Sequence, residues 1–248
     1  MVKRNDLLTY LDDFLSSASF KDYAPNGLQV EGTKQVRKIV TGVTACQALI
    51  DAAIEKQADT ILVHHGYFWK NEPQIITGMK KKRIKALLDH DINLIGYHLP
   101  LDAHPEIGNN AMLAKLWGVT DETPDDASLV RIGKLAMPMA FEAFKEKVDM
   151  SLDRTSLHLE GGPDVVSTIA WCSGGAQGYI QQAIDWQADV FISGEVSEQT
   201  THQARESGIH YLSAGHHATE RCGVKALGEH LATEFELDVE FIDVENPV

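Results

Sequence analysis

Gln47-Ala-Leu-Ile-Asp-Ala-Ala-Ile-Glu-Lys-Gln-Ala-Asp59 returns in altered form as Gln177-Gly-Tyr-Ile-Gln-Gln-Ala-Ile-Asp-Trp-Gln-Ala-Asp189. Gln47, Ile50, Ala53, Ile54, Gln57, Ala58 and Asp59 are matched by Gln177, Ile180, Ala183, Ile184, Gln187, Ala188 and Asp189 in a single frame. Ile39 and Ile169 extend that frame upstream. Leu28-Gln-Val-Glu-Gly32 resembles Leu157-His-Leu-Glu-Gly161, one residue out of step. So many identities without a gap read as an internal duplication.

The surrounding periodicity repeats as well. Leu7, Leu8, Leu11, Phe14 and Leu15 have helical spacing, as do Phe141, Phe144, Val148 and Leu152, with Pro138 placed at a helix start. Each half then runs through an apolar strand, a helix and a second strand, Thr60-Ile-Leu-Val63 in one and Val190-Phe-Ile-Ser193 in the other. Helices around 83–89 and 201–206 lead to third strands at Ile92–Tyr97 and Ile209–Ser213. Val224, Leu227, Leu231 and Phe235 mark a closing helix, and last strands are expected at Leu129–Leu135 and Asp238–Val244. Strands alternating with helices predict an α/β fold with largely parallel pairing. Two similar α/β halves are expected, 1–136 and 137–248. Thr120–Ala127 reads as an acidic loop, and with no linker the halves are expected to pack tightly.

The 248 residues carry 22 Lys and Arg against 36 Asp and Glu, a formal charge of −14. That balance repels nucleic-acid backbones and anionic lipid, so neither is an expected partner. No apolar run approaches the roughly 18 residues of a membrane span. The opening Met-Val-Lys-Arg-Asn-Asp lacks the apolar core of a signal peptide. Three cysteines, Cys46, Cys172 and Cys222, make no framework and suit a reducing compartment. A cytoplasmic protein is the expectation.

The 11 histidines carry the chemistry. Ligands in open α/β sheets collect beyond the carboxyl ends of strands. Three histidine-bearing segments fall there: Val63-His-His-Gly66, His98-Leu-Pro-Leu-Asp-Ala-His-Pro105 and Gly215-His-His-Ala-Thr-Glu220. His98 and Asp102 are four apart, as are His216 and Glu220. On a helix that spacing shares a face, so His216 and Glu220 reach one region. Pro100 disfavours the helical conformation at Leu99, so Asp102 is expected on a loop. His64 and His65 alternate across a strand, but at its end both can turn to one cavity. The metal site is therefore expected at the strand ends between the halves, held by His64, His65, Asp102, His216 and Glu220.

Three neutral imidazoles and two carboxylates suit two divalent cations, with Zn, Fe, Mn, Ni and Co all compatible. The excess charge falls further if a hydroxide bridges the ions. Glu195 stands at the repeat position of His65, as a general base, as an acceptor beside the metals, or as a helix-start carboxylate favoured by the dipole. Glu195, His98 and His217 are the candidate proton carriers. His90, His158, His202, His210 and His230 read as structural. Tyr67-Phe-Trp69, with Lys70 next, reads first as packing and second as the wall of a pocket for a planar heterocycle.

Asp22-Tyr-Ala-Pro-Asn-Gly-Leu-Gln-Val-Glu-Gly32, Val63-His-His-Gly-Tyr-Phe-Trp69 and Tyr97-His-Leu-Pro-Leu-Asp-Ala-His-Pro105 carry a family likeness, as do Gly194-Glu-Val-Ser-Glu-Gln-Thr200 and Ala214-Gly-His-His-Ala-Thr-Glu-Arg221. With them the chain resembles the dinuclear-metal-centre hexameric proteins known as GTP cyclohydrolase 1 type 2, especially the YbgI-like members. No ligand position departs from the pattern. The resemblance implies metal binding by the same five residues and a toroidal homohexamer. It also implies a metal-dependent hydrolase acting on a nucleotide or related heterocycle. A non-catalytic metal-binding or ring-shaped scaffold is the alternative, and a phosphoesterase or peptidase a further one. Neither a Walker-type loop nor a nucleophile elbow is present in the sequence.

Overall fold

A computed structural model describes residues 1–124 and 128–248. The acidic loop read at Thr120–Ala127 therefore lies partly outside the described residues, and its first two residues end a strand. The described chain divides into two compact units, Met1–Leu101 with Gly223–Glu245 and Asp102–Cys222 with Asn246–Val248.

The first unit contains β1 (Val2–Lys3), α1 (Arg4–Phe14), β2 (Gly27–Val30), β3 (Gln35–Val36), β4 (Lys38–Thr44), α2 (Gln47–Glu55), β5 (Thr60–His65), α3 (Gly78–Asp89) and β6 (Asn93–Gly96). The short helix α4 (Leu99–Ala103) spans the division between the units. The second unit runs through α5 (Asn109–Trp117), β7 (Val119–Asp121), β8 (Arg131–Ala140), α6 (Phe141–Leu152), β9 (Leu157–Leu159), β10 (Val165–Cys172), α7 (Ile180–Asp185), β11 (Val190–Ser193), α8 (Glu198–Ser207) and β12 (His210–Ser213). Helix α9 (His216–Phe235) begins there and continues into the segment that belongs to the first unit, which ends with β13 (Asp238–Phe241).

Each unit has the same heart, three parallel strands with an antiparallel edge. In the first the order is β13-β4-β5-β6-β2, and in the second β7-β8-β10-β11-β12-β9. Strands β4, β5 and β6 are parallel and β2 is antiparallel to β6. Strands β10, β11 and β12 are parallel and β9 is antiparallel to β12. Ile39 pairs with Thr60 and Ile169 with Val190, so the duplication preserves register as well as residue type.

The repeated Gln-Ala-Asp has a physical account. Gln57 and Gln187 take the left-handed conformation, φ 55° and 56°. The following amide then bonds back five residues, Ala58 to Ala53 at 2.9 Å and Ala188 to Ala183 at 3.0 Å. This is a Schellman ending, which satisfies carbonyls a helix terminus leaves bare. The aspartate comes next. Asp59 Oδ2 accepts the N–H groups of Arg37 (2.8 Å) and Lys38 (3.2 Å), and Asp189 Oδ2 accepts those of Ser167 and Thr168, both at 2.8 Å. Their own carbonyls receive Asn93 and His210, each at 2.9 Å. Gly32 and Gly161 recur for lack of space: a Cβ would lie 2.3 Å from the Asp91 carbonyl oxygen, or 2.4 Å from that of Ala204.

Alternation places the core. In the second unit Ile169, Trp171, Val190, Ile192 and Leu212 face Leu113, Trp117, Phe144 and Val148 of α5 and α6. Their neighbours Ala170, Cys172, Phe191 and Tyr211 face Ile180, Ala183 and Ala204 of α7 and α8. Parallel strands buried on both faces give the continuous apolar runs seen in the sequence. In the first unit Val40, Ile61, Val63 and Leu94 pack on Leu49, Ile50, Ala53, Ile84 and Leu87 of α2 and α3.

Three placements differ from the sequence reading. Pro138 lies inside β8, not at the start of α6. The β8–β10 register shifts between Val166 and Thr168, opposite the segment holding Pro138, and such an irregularity accommodates a residue without an N–H. Pro100 is the second residue of α4, so Asp102 sits on a helix rather than a loop. A first-turn proline forfeits only an amide that has no intrahelical partner. Finally, the repeat divides similar sequences near 136, while packing divides the chain elsewhere. Strand β13 pairs in parallel with β4, Asp238 against Lys38, which brings Gly223–Glu245 into the first unit. Among the described residues no helix is long and apolar enough to cross a membrane.

Asp59→Ala strips a carboxylate from two amides at the entry to β4, and Asp189→Ala from two amides within β10. Each is expected to cost about 1–3 kcal/mol, read as a lower urea midpoint, with the Asn variants milder.

Candidate metal centre

The chemically suggestive side chains all follow parallel strands at their carboxyl ends. His64 and His65 end β5, and His98 follows β6 by two residues, just ahead of α4. Glu195 follows β11 by two residues, and His216 opens α9 after β12.

In the first unit His64, His65 and His98 each offer a ring nitrogen, all within 4.8 Å of one another. Ring centroids stand 4.5 Å apart for His64 and His65 and 5.0 Å for His64 and His98. His64 is buried and its Nδ1 lies 3.0 Å from the Tyr97 carbonyl oxygen. A carbonyl only accepts, so Nδ1 carries the hydrogen and the lone pair of the neutral ring lies on Nε2. His98 is set the same way by Asp22, whose Oδ1 is 2.6 Å from Nδ1. Asp22 Oδ2 also accepts from the Leu99 N–H (2.9 Å) and Asn26 Nδ2 (3.0 Å). Burial acts to raise the Asp22 carboxyl, but His98, Asn26 and the Tyr23 N–H prevail and hold it at about 2. His65 Nδ1 lies 3.3 Å from Thr44 Oγ1.

The second unit supplies the carboxylates. Asp102, Glu220 and His216 are brought together there: an oxygen of Asp102 and one of Glu220 lie within 4.8 Å, as do a ring nitrogen of His216 and an oxygen of Glu220. His216 Nε2 is 3.3 Å from Glu220 Oε1, the expected consequence of four-residue spacing on α9. Its Nδ1 is 2.6 Å from Glu195 Oε1, and Gln177 Nε2 donates to Glu195 Oε2 at 3.3 Å. Asp102 Oδ1 accepts from Asn109 Nδ2 (2.8 Å) and Ser173 Oγ (2.9 Å).

The electrostatics favour a cation. Burial acts against a charged His216, yet Glu220 and Glu195 overcome it and raise the ring to about 9. A field that holds a proton this firmly also suits a metal ion, which would take that proton's place. Cys172 nearby is no competitor: burial, with Asp102 and Glu220 adding to it, pushes its thiol up, so it stays neutral. Imidazole nitrogens with fixed tautomers and oriented carboxylates are the donor set of a first-row divalent ion. Gly174 leaves the room, since a Cβ there would stand 2.2 Å from Glu220 Oε1 and 3.1 Å from His216 Nε2.

A model of the family described as Duf34/NIF3 (NGG1p interacting factor 3) matches residues 2–247. The chain belongs to the Duf34/NIF3 family. A Yersinia pestis relative named GTP cyclohydrolase 1 type 2 homolog is 57% identical over 243 residues, 98% of each chain. An Escherichia coli K12 relative of the same name is 53% identical over 247 residues, covering 99% of this chain and 100% of its own. Among solved structures, one titled "Structural genomics, protein ybgI, unknown function" superposes with a TM-score of 0.97 at 52% identity, covering all of both chains. TTHA1606 from Thermus thermophilus gives 0.92 at 36%, again over all of both chains.

The remaining sequence candidates of this Duf34/NIF3 protein fall into place. His217 is buried, and its backbone N–H reaches the Val248 carbonyl at 2.9 Å. His158 and His210 bond each other at 3.1 Å, and His230 bonds the Tyr10 hydroxyl at 2.6 Å. His90 Nδ1 lies 3.0 Å from the Ala86 carbonyl oxygen, and His202 lies 3.7 Å from Glu198. Tyr67 is core, its hydroxyl donating to the Ala45 carbonyl at 2.8 Å. Sequence reasoning assigned His98 to proton transfer alone and gave Asp22 no role. The parallel between His98–Asp102 and His216–Glu220 was the available signal for His98.

Gly174→Ala adds both a clash at Glu220 and strain at φ 66°. The expected outcome is a loss of bound metal by elemental analysis with the far-ultraviolet circular dichroism of the fold retained.

Proposed function

We propose that this protein is a metal-dependent hydrolase in which His64, His65, Asp102, His216 and Glu220 hold two divalent cations and a nucleotide is the substrate. The observation that supports this most is the pairing of each donor set with groups that fix it. Tyr97 and Glu195 commit the Nδ1 hydrogens of His64 and His216, and Asn109 and Ser173 orient Asp102. The names of the relatives support the substrate class. Bound divalent cations supply Lewis acidity and bring the pKa of water down to about 7.

The chain's own groups then have definite tasks. Glu195 keeps the His216 proton on Nδ1, so the Nε2 lone pair is left for a cation held beside Glu220. His98, with its Nδ1–H given to Asp22, presents Nε2 as the acceptor of a proton from attacking water. Asp22, ionised and bound to the Leu99 amide, holds that ring in place through the turnover. Of the three candidate proton carriers, His98 has its ring among the donor nitrogens, while Glu195 is engaged in orienting His216. The water oxygen adds to an electrophilic carbon, such as C8 of a purine. A homohexamer, implied by the family resemblance, belongs to the same reading.

GTP incubated with protein loaded in turn with Zn, Mn, Fe, Ni and Co is expected to give a product one water heavier, or its ring-opened descendant, by mass spectrometry. GTP left intact across the whole series would overturn the substrate assignment. His64→Ala and Glu220→Ala are expected to lose metal and turnover together. Glu195→Gln is expected to keep metal and slow turnover about 10–100-fold.

A further inference from the structure

The loop after the histidine pair is built at a cost that packing does not explain. Phe68 has φ 65°, a conformation that a bulky side chain adopts only when its surroundings impose it. Glu72 imposes it, with Oε2 accepting the N–H groups of Phe68 (3.0 Å) and Trp69 (3.3 Å). Lys80 braces Glu72 at 3.3 Å, donates to the Pro73 carbonyl at 3.2 Å and lies 4.9 Å from the Phe68 ring centre.

What this turn delivers is Trp69. Its Nε1–H is tied to the Gly66 carbonyl at 3.2 Å, which fixes the indole. The ring stands edge-to-face with His98 at 5.0 Å and His65 at 5.7 Å. Tyr23 meets His98 from another loop at 6.4 Å, and the Lys70 N–H, donating to the Tyr23 carbonyl at 2.7 Å, ties the two loops together. Tyr67, two residues before Trp69, is 5% exposed, as a packing aromatic should be, whereas Tyr23 is 59% exposed. Lys70 follows Trp69 and Lys21 precedes Tyr23 by two residues, both exposed, in a chain of net charge −14.

We propose that Trp69 and Tyr23 form the platform on which the planar base of a purine nucleotide stacks beside the histidine donors, with Glu72 and Lys80 as positioning residues. This inference rests on the nucleotide reading above and adds the groups that recognise the base. A π-face is what an aromatic platform selects, whereas a coordinated metal ion needs lone pairs that an indole N–H does not offer. The exposed lysines suit the phosphates.

The test is equilibrium binding of GTP and of inorganic tripolyphosphate to the metal-loaded full chain, by titration calorimetry. Trp69→Ala is expected to weaken GTP about tenfold or more, and Trp69→Phe by no more than about threefold. Tripolyphosphate affinity and metal content should stay unchanged in both. Tyr23→Ala, at an exposed ring, gives the same comparison if Trp69→Ala misfolds. The proposal is overturned if wild type binds GTP no better than tripolyphosphate, or if both alanine variants bind GTP as wild type does. It is also overturned if the variants lose both ligands equally. GTP held through Trp69 but never converted would sink the hydrolase reading and leave the platform standing. Conversion of GTP untouched by either alanine variant would do the reverse.

Discussion

One carboxylate in each sheet fastens its three-strand parallel heart together. Asp59 gathers two amides at the entry to β4 and Asp189 two amides within β10, and their carbonyls take the first amide of β6 and of β12. Register in a sheet is all-or-none for side chains, because a slip of one residue sends each to the opposite face. At the far end of β5 such a slip would exchange the directions of His64 and His65. Asp59 therefore bears, from about a strand's length away, on which way His64 and His65 point. The histidine pair inherits its placement from hydrogen bonds that never touch it.

Much of this was legible in the chain. The repeated Gln, Ala and Asp stand out because each does a local job that only a few residue types can do. The closeness of His64 to His65 and of His216 to Glu220 was legible, because one pair ends an apolar strand and the other has four-residue spacing on a helix. What stayed hidden depends on long-range pairing. Asp22 meets His98 across 76 residues, and no periodicity announces such a partner. The membership of 223–245 in the first unit follows from the parallel pairing of β13 with β4, which local pattern does not encode. The helix at Leu99–Ala103 was missed for a different reason. The rule that a proline restricts its predecessor is a preference, and the Asp22 carboxylate, bonded to the Leu99 amide, overrides it.

The acidity of the chain also takes on a local meaning. Asp22 and Glu195 sit behind imidazoles, on the Nδ1 side, while Glu220 and Asp102 present oxygens of their own. Negative charge behind a ring makes its outward nitrogen a better donor. Toward a bound cation, four carboxylates would thus serve two ends, sharpening neutral donors and offering charged ones. Cys172 is kept neutral first by its burial and then by the charges of Asp102 and Glu220.

Both main sheets are trimmed at their margins. Strands β2 and β13 bound one and β7 and β9 the other, each three or four residues long, and β2 carries a register irregularity between Leu28 and Val30. Borders this brief give a foreign strand little backbone to zip against. A second chain approaching either sheet edge would accordingly find side-chain surface and little open ladder to extend.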